Sequence, residues 1–335
     1  MNKKNIFFNF LLIIFGTLFA LLIVEILLRF NNQGPWGNLD NLRNDPSINR
    51  PDRKLGWVPK EGEYKFEPFS EEGKSFTINI LKDSSRKVEF QKENSNLNEL
   101  IFLGGSITLG WGINDNQTFT SKLQKKVNKF NIKNYSAGGY GTYQSFLRFE
   151  NLLKNDNNIK SAVLVYVPNH AVRNIGDEFW LRTLTKFSKR GYVGLPYASI
   201  NDKDELKRHE PVSYTRTPFM EHSAVSNKIA KRIMKFKLRN NEKNKYKVTN
   251  LIFSEMKKIA DKRNIKFAIL NLSDDENAFK PYLNTFKNDE IEHFNCVIKR
   301  TKELTIKGDG HPNEIMHSMF SDCIYKNLKN LINIS

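Results

Sequence analysis

The stretch Ile101-Phe102-Leu103-Gly104-Gly105-Ser106-Ile107-Thr108 decides how this chain is read. An apolar run ends in two glycines and a serine, and a helical pattern follows. Strand, tight turn and helix in that order place a hydroxyl at the carboxyl end of a strand. A nucleophilic serine needs that placement: its Oγ is exposed, and its own N–H can face a developing oxyanion. The same residues also describe an ordinary glycine turn with an incidental serine, so the surrounding chain has to decide between the two.

Around this stretch, strands and helices alternate, which argues for an α/β sheet. Leu100–Leu103 reads as the first strand. Gln117–Phe130 follows as a helix, with Phe119, Leu123, Val127 and Phe130 on one face. Ile132–Tyr135 reads as a strand and Gly141–Leu153 as a helix. Ser161–Val167 is a continuous apolar run, as a central parallel strand should be. The rhythm breaks from Asn174 to Thr249, which reads as an insertion. It resumes with a helix at Leu251–Arg263, strands at Lys266–Leu272 and Phe294–Ile298, and a closing helix at Asn313–Ile332.

Upstream, Lys3 and Lys4 precede nineteen uncharged residues from Ile6 to Val24, and Arg29 follows Glu25 and a further apolar triplet. That length crosses a bilayer. A cleaved signal peptide would have a shorter apolar core and small residues after it. The reading is therefore an uncleaved signal anchor at residues 6–30 behind a cytoplasmic tail at 1–5. The bulk of the chain then lies on the outer, periplasmic or extracellular, face. Residues 31–98 carry five prolines and read as a stalk and edge cover; residues 99–334 form the main domain, with the insertion at 174–249.

The net charge is +17 over 335 residues. Nucleic acid is the usual partner of such a charge, but the excess is spread along the chain and no nucleic-acid motif accompanies it. Its densest part lies between Asn227 and Lys247, where nine lysines and arginines stand against one glutamate. This reads either as a solvated helix or as a contact for anionic lipid or acidic glycan. The two cysteines, Cys296 and Cys323, are too few for a disulfide framework and are not spaced for zinc. Buried free thiols are the expectation, with a single disulfide as the alternative. His209, His222, His293 and His317 show no metal-ligand spacing, and no metal or organic cofactor is expected.

Four pieces fall at the ends of successive strands, where ligands bind in an open parallel sheet. They are Gly104–Thr108, the glycine-rich Asn134–Gly141, Pro168-Asn169-His170, and Gly308-Asp309-Gly310-His311-Pro312-Asn313. Together they supply an acyl-transfer site. Ser106 attacks an ester carbonyl, His311 carries the proton, and Asp309 holds the imidazole. The N–H groups of Ser106 and Gly139 and the amide of Asn169 form the oxyanion hole.

The order of these blocks resembles the SGNH (GDSL-type) hydrolase family over roughly Asn98 to Asn333. The match is carried by Ser106, Gly139, Asn169, and Asp309 with His311. The resemblance implies a flavodoxin-like three-layer α/β/α sandwich with a parallel sheet. It also implies esterase, lipase or carbohydrate acetylesterase chemistry. Thr108 stands where the α/β-hydrolase elbow has its second glycine, which separates the two families here. Three positions depart from the family pattern. Gly105 replaces the aspartate beside the nucleophile. Pro168-Asn169-His170 replaces Gly-Asn-Asp, with His170 read as a loop residue. Asp309 precedes His311 by two residues where three is better known, so a backbone carbonyl, Asp274 or Asp275 is an alternative partner for the imidazole. Anchored members of the family point to acyl, chiefly O-acetyl, esters of surface or envelope glycan. An O-acyltransferase using the same site and an inactive glycan-binding module are the competing functions.

Overall fold

The computed structural model describes residues 3–37, 47–91, 97–154, 156–188, 193–238 and 242–331. In chain order these form α1 (Lys3–Phe30), β1 (Asn49–Asp52), β2 (Gly56–Pro59), β3 (Gly62–Phe66), β4 (Phe76–Ile80), β5 (Asn98–Leu103), α2 (Ser106–Leu109), α3 (Phe119–Gln124), β6 (Phe130–Asn134), α4 (Thr142–Leu152) and β7 (Ile159–Tyr166). They continue with α5 (Asn169–Asn174), α6 (Glu178–Phe187), β8 (Gly194–Ile200), β9 (Leu206–Ser213), α7 (Ala224–Leu238), α8 (Lys245–Lys262), β10 (Lys266–Asn271), α9 (Leu283–Asn288), β11 (Glu292–Asn295) and α10 (Glu314–Leu331).

Five strands pair in parallel in the order β11-β10-β7-β5-β6. Counted from β5, this is the flavodoxin-like order 2-1-3-4-5, whose direction reverses between β5 and β7. Successive side chains of a strand face opposite sides. Ile101 and Leu103 therefore join Phe146, Phe149, Leu164, Phe253 and Ile269 in one buried layer. Leu100 and Phe102 join Phe119, Leu123, Val163, Phe320 and Ile324 in the other. Both faces of the sheet are covered, as an all-parallel sheet requires, and the three-layer sandwich is the observed architecture.

The segment before the sheet is built of the hairpins β1-β2 and β3-β4. Arg86, which follows it, is buried and acts as a clamp. Its guanidinium donates to Asp115 at 2.8 Å and to the carbonyls of Leu109, Gly110 and Ile113 at 2.6 to 2.7 Å. A buried arginine this fully bonded holds the backbone just beyond α2 in one geometry.

Some elements differ from the sequence expectation. The helix expected over Gln117–Phe130 is only Phe119–Gln124, and Phe130 starts β6. The cause is Gln124, whose amide donates to the carbonyls of Val127 and Phe130 and accepts from the N–H of Ile132. It takes backbone groups that a longer helix would need, and so ends the helix. The last strand is Glu292–Asn295, which leaves Cys296 just beyond it. Cys296 and Cys323 are bonded to each other, with Cα atoms 5.8 Å apart, so the expectation of free thiols is corrected. The bond ties the edge of the sheet to α10, two pieces that lie side by side although 27 residues apart.

Helix α1 is apolar and outward-facing over Asn5–Phe30, long enough to cross a membrane.

Candidate active site

Ser106 is the first residue of α2, reached from β5 through Gly104 and Gly105. As the start of a helix its N–H has no intrahelical partner, and it is a free donor at the strand end. Gly105 owes its identity to packing. A Cβ there would lie 3.1 Å from both His170 Nε2 and the Tyr140 carbonyl, tighter than a side chain normally sits. His170 thus occupies the room that a residue with a side chain at position 105 would use. The two departures from the family pattern, Gly105 and His170, are one packing arrangement.

The second half of the site sits on a tight loop between Leu304 and Asn313. The N–H of Ile306 donates to the His311 carbonyl at 2.8 Å, and that of Asn313 donates to Leu304 at 3.0 Å. Asn313 then caps α10, accepting from Ile315 and Met316 at 3.0 and 3.2 Å. Both ends of the loop are held, and His311 projects from it toward the sheet.

The two halves meet. Ser106 Oγ lies 2.8 Å from His311 Nε2. His311 Nδ1 is hydrogen-bonded to Asp309 Oδ1, which also accepts the His311 backbone N–H at 3.1 Å. The two-residue spacing therefore works through a side-chain and a backbone bond to one carboxylate. Burial pushes the Asp309 pKa up, but the bonds and charge of His311 and a hydrogen bond from Trp111 outweigh it, and the group is held below the ordinary carboxylate range. With the ring proton on Nδ1, the Ser106 hydroxyl donates to Nε2, the arrangement that activates a serine.

A cavity of about 410 Å³ opens onto this group, between the ends of β5 and β7. Its wall includes Gly105, Ser106, Asn169, His170, Arg173, Asp274, Arg300, Asp309 and His311. Asn169, at the start of α5, is exposed toward it. Gly139 is not on the wall. It has a φ of +81°, and a Cβ there would meet Leu184, Trp57 and Trp180. Ser106 and Asn169, two of the three residues nominated from the sequence for the oxyanion hole, therefore line the cavity. Asp274 is on the wall but makes no hydrogen bond to His311 among the described residues.

His170 is 2% exposed, and its Nδ1 has no hydrogen-bond partner among the described residues. Burial, and then the charge of Arg173, hold its pKa well below the ordinary histidine value, so it stays neutral. Arg173, unremarked in the sequence, lies four residues after Asn169 on the same helix. It donates to the Tyr140 carbonyl at 2.9 Å and stacks over Trp180. His317 is buried away from the cavity. Its Nδ1 accepts the N–H of Phe119 at 3.1 Å, and its ring stacks on that side chain. Among the described residues no cluster of side chains is arranged to hold a metal.

No family model and no curated protein matches this chain. Solved structures that align with it include a psychrotrophic esterase, EstA, from Pseudoalteromonas sp., at 12% identity over 70% of this chain and 99% of that chain, with a TM-score of 0.43. TesA aligns at 14% identity over 70% of this chain and 100% of that chain, with a TM-score of 0.42. A carbohydrate esterase described as having divergent catalytic and non-catalytic binding functions aligns at 11% identity over 83% of this chain and 90% of that chain, with a TM-score of 0.43.

Proposed function

We propose that this protein is an SGNH-type serine esterase that removes acyl groups, chiefly O-acetyl, from glycan at the outer face of the cytoplasmic membrane. The observation that carries the reading is the relay Ser106–His311–Asp309, with Oγ and Nε2 at 2.8 Å and the carboxylate on the far nitrogen. Ser106 Oγ attacks the ester carbonyl as its proton passes to His311 Nε2. Asp309 stabilises the imidazolium that forms. The oxyanion is received by the Ser106 N–H and the Asn169 amide, donors typically worth about 3 kcal/mol each in the transition state. His311 returns the proton to the leaving alcohol. Water then repeats the cycle on the acyl-enzyme, and a sugar hydroxyl in place of water would make the same site a transferase.

The outer location is supported by Lys3 and Lys4 at the start of α1, ahead of its apolar run, and by the Cys296–Cys323 bond, since such bonds persist in oxidising compartments. Glycan as substrate is supported by the family resemblance alone.

The test is release of p-nitrophenol from p-nitrophenyl acetate, together with labelling by a fluorophosphonate. The wild type should do both, and Ser106→Ala neither. Labelling equal in the two proteins would overturn the assignment of Ser106, and absence of both activities in the wild type would favour the inactive binding module.

A further inference from the structure

Helix α7 has two apolar faces. One, made of Ala230, Met234 and Leu238 with Asn227, is buried against the fold. The other, Val225, Ile229, Ile233 and Phe236, recurs at spacings of four, four and three, so it forms one stripe along the helix. Among the described residues Val225 and Ile233 are partly covered, while Ile229 is 48% and Phe236 83% exposed. Lys228, Arg232, Lys235 and Lys237 edge it, and no acidic residue occurs between Glu221 and Glu242.

The start of α7 is fastened to the end of α1. The Glu25 carboxylate accepts the N–H groups of Ala224 and Val225 at 2.8 and 3.0 Å and the Ser223 hydroxyl at 2.9 Å. Arg29 donates to the His222 carbonyl at 2.7 Å. Just beyond, Asn227 donates to the Gly34 carbonyl and Lys228 to Gln33. Phe219, 78% exposed, stands in the turn that leads into this junction. An unpaired apolar stripe edged by lysines thus begins where a membrane-length apolar helix ends.

We propose that α7 docks on the surface of a bilayer containing anionic phospholipid, and so holds the hydrolase fold against the membrane. Ile229, Phe236 and Phe219 enter the boundary between headgroups and acyl chains. The lysine and arginine stems extend along that boundary and bring their charges to phosphates. A soluble acidic polymer would satisfy the charges but not the apolar stripe, which is why the bilayer is the occupant that fits. The inference rests on α1 as a membrane span, part of the location proposed above, but not on the esterase chemistry.

The test uses the full chain in vesicles of phosphatidylcholine with or without phosphatidylglycerol. Its own cysteines are bonded to each other, so single cysteines introduced by Phe236→Cys, Phe15→Cys or Leu283→Cys accept an environment-sensitive fluorophore. Nitroxide-labelled lipid should quench the probe at 15 in both vesicles. At 236 it should quench several-fold more strongly when phosphatidylglycerol is present, and at 283 hardly at all. Arg232→Glu with Lys235→Glu should remove the quenching at 236 and leave that at 15. Quenching at 15 but not at 236 overturns the docking and spares the span, whereas quenching at neither removes both. A response at 236 to soluble polygalacturonate rather than to lipid, or no effect of the charge reversals, also overturns the proposal.

Discussion

The Ser106 cavity has a histidine on each of two walls, and the walls are built for opposite behaviour. His311 stands on a loop, half-buried, with a carboxylate bonded to the nitrogen that faces away from the serine. His170 stands in the first turn of α5, almost without exposure, with a guanidinium beside it and, among the described residues, no partner on Nδ1. The first imidazole has a carboxylate placed to meet a positive charge on the ring. The second is penalised for such a charge by burial and by Arg173. Two identical side chains lining one cavity have different chemistry because their neighbours differ. The neighbour, more than the residue type, nominates the base.

The comparison can be broken by exchanging the two roles for glutamine. His311→Gln should lower kcat/KM for p-nitrophenyl acetate by roughly a thousandfold or more, as removal of a triad base does. His170→Gln should stay within about tenfold of wild type, since it moves no proton. Equal losses would make His170 a second base. Asp309→Asn sharpens the same contrast from behind the ring. It should reduce the rate by roughly a hundredfold to ten-thousandfold while leaving the melting curve nearly unchanged. A rate near wild type would return the orienting role to Asp274 or a backbone carbonyl.

The walls also differ in support. The Asp309–His311 loop runs directly into α10, which the Cys296–Cys323 bond pins to the sheet. Cys323→Ser should cost about 3 kcal/mol of stability, judged from a loop of this size, and be read as an earlier denaturant midpoint. Activity at low temperature should persist. An unchanged midpoint would mean that the bond does not form in the protein.

The smallest expected effect concerns acid. His317, like His170, is folded in its neutral form; burial, then nearby positive charges, carry its pKa down to about 3. Its unfolded counterpart takes up a proton below about pH 6.5. The stabilisation is therefore complete above that pH and is lost progressively as pH falls toward 3. Between pH 7 and 5 the loss from this residue should be about 2 kcal/mol. His317→Gln should show a correspondingly flatter fall in denaturant stability over that interval, and an identical fall would refute the linkage.

Much of the fold was legible because buried parallel strands are written as apolar runs, and because glycines and polar residues stand where they end. Ser106, Asn169, Asp309 and His311 were legible for the same reason: strand ends converge at a topological switch point, so motifs far apart in the chain share one cavity. What escaped depended on contacts between distant residues. The shortening of α3 is decided by where the Gln124 amide reaches. The pairing of Cys296 with Cys323 needs α10 packed against the sheet edge. Arg173 carried no motif; its only signal was the one-turn spacing from Asn169. Gly139 was nominated by its place in a glycine-rich loop; the structure adds that its φ of +81° suits a glycine and that a Cβ there would meet Trp57 and Trp180.

The contact between position 105 and His170 also bears on the routes by which such a site can change. A carboxylate introduced at 105 alone meets an imidazole and a carbonyl already in its space. Shrinking residue 170 alone opens a void beside the nucleophile. A side chain at 105 and a smaller residue at 170 are therefore coordinated changes, with a disfavoured intermediate on either path. The pair Gly105 and His170 behaves as a ratchet: once both are in place, drift at either position is resisted by the other.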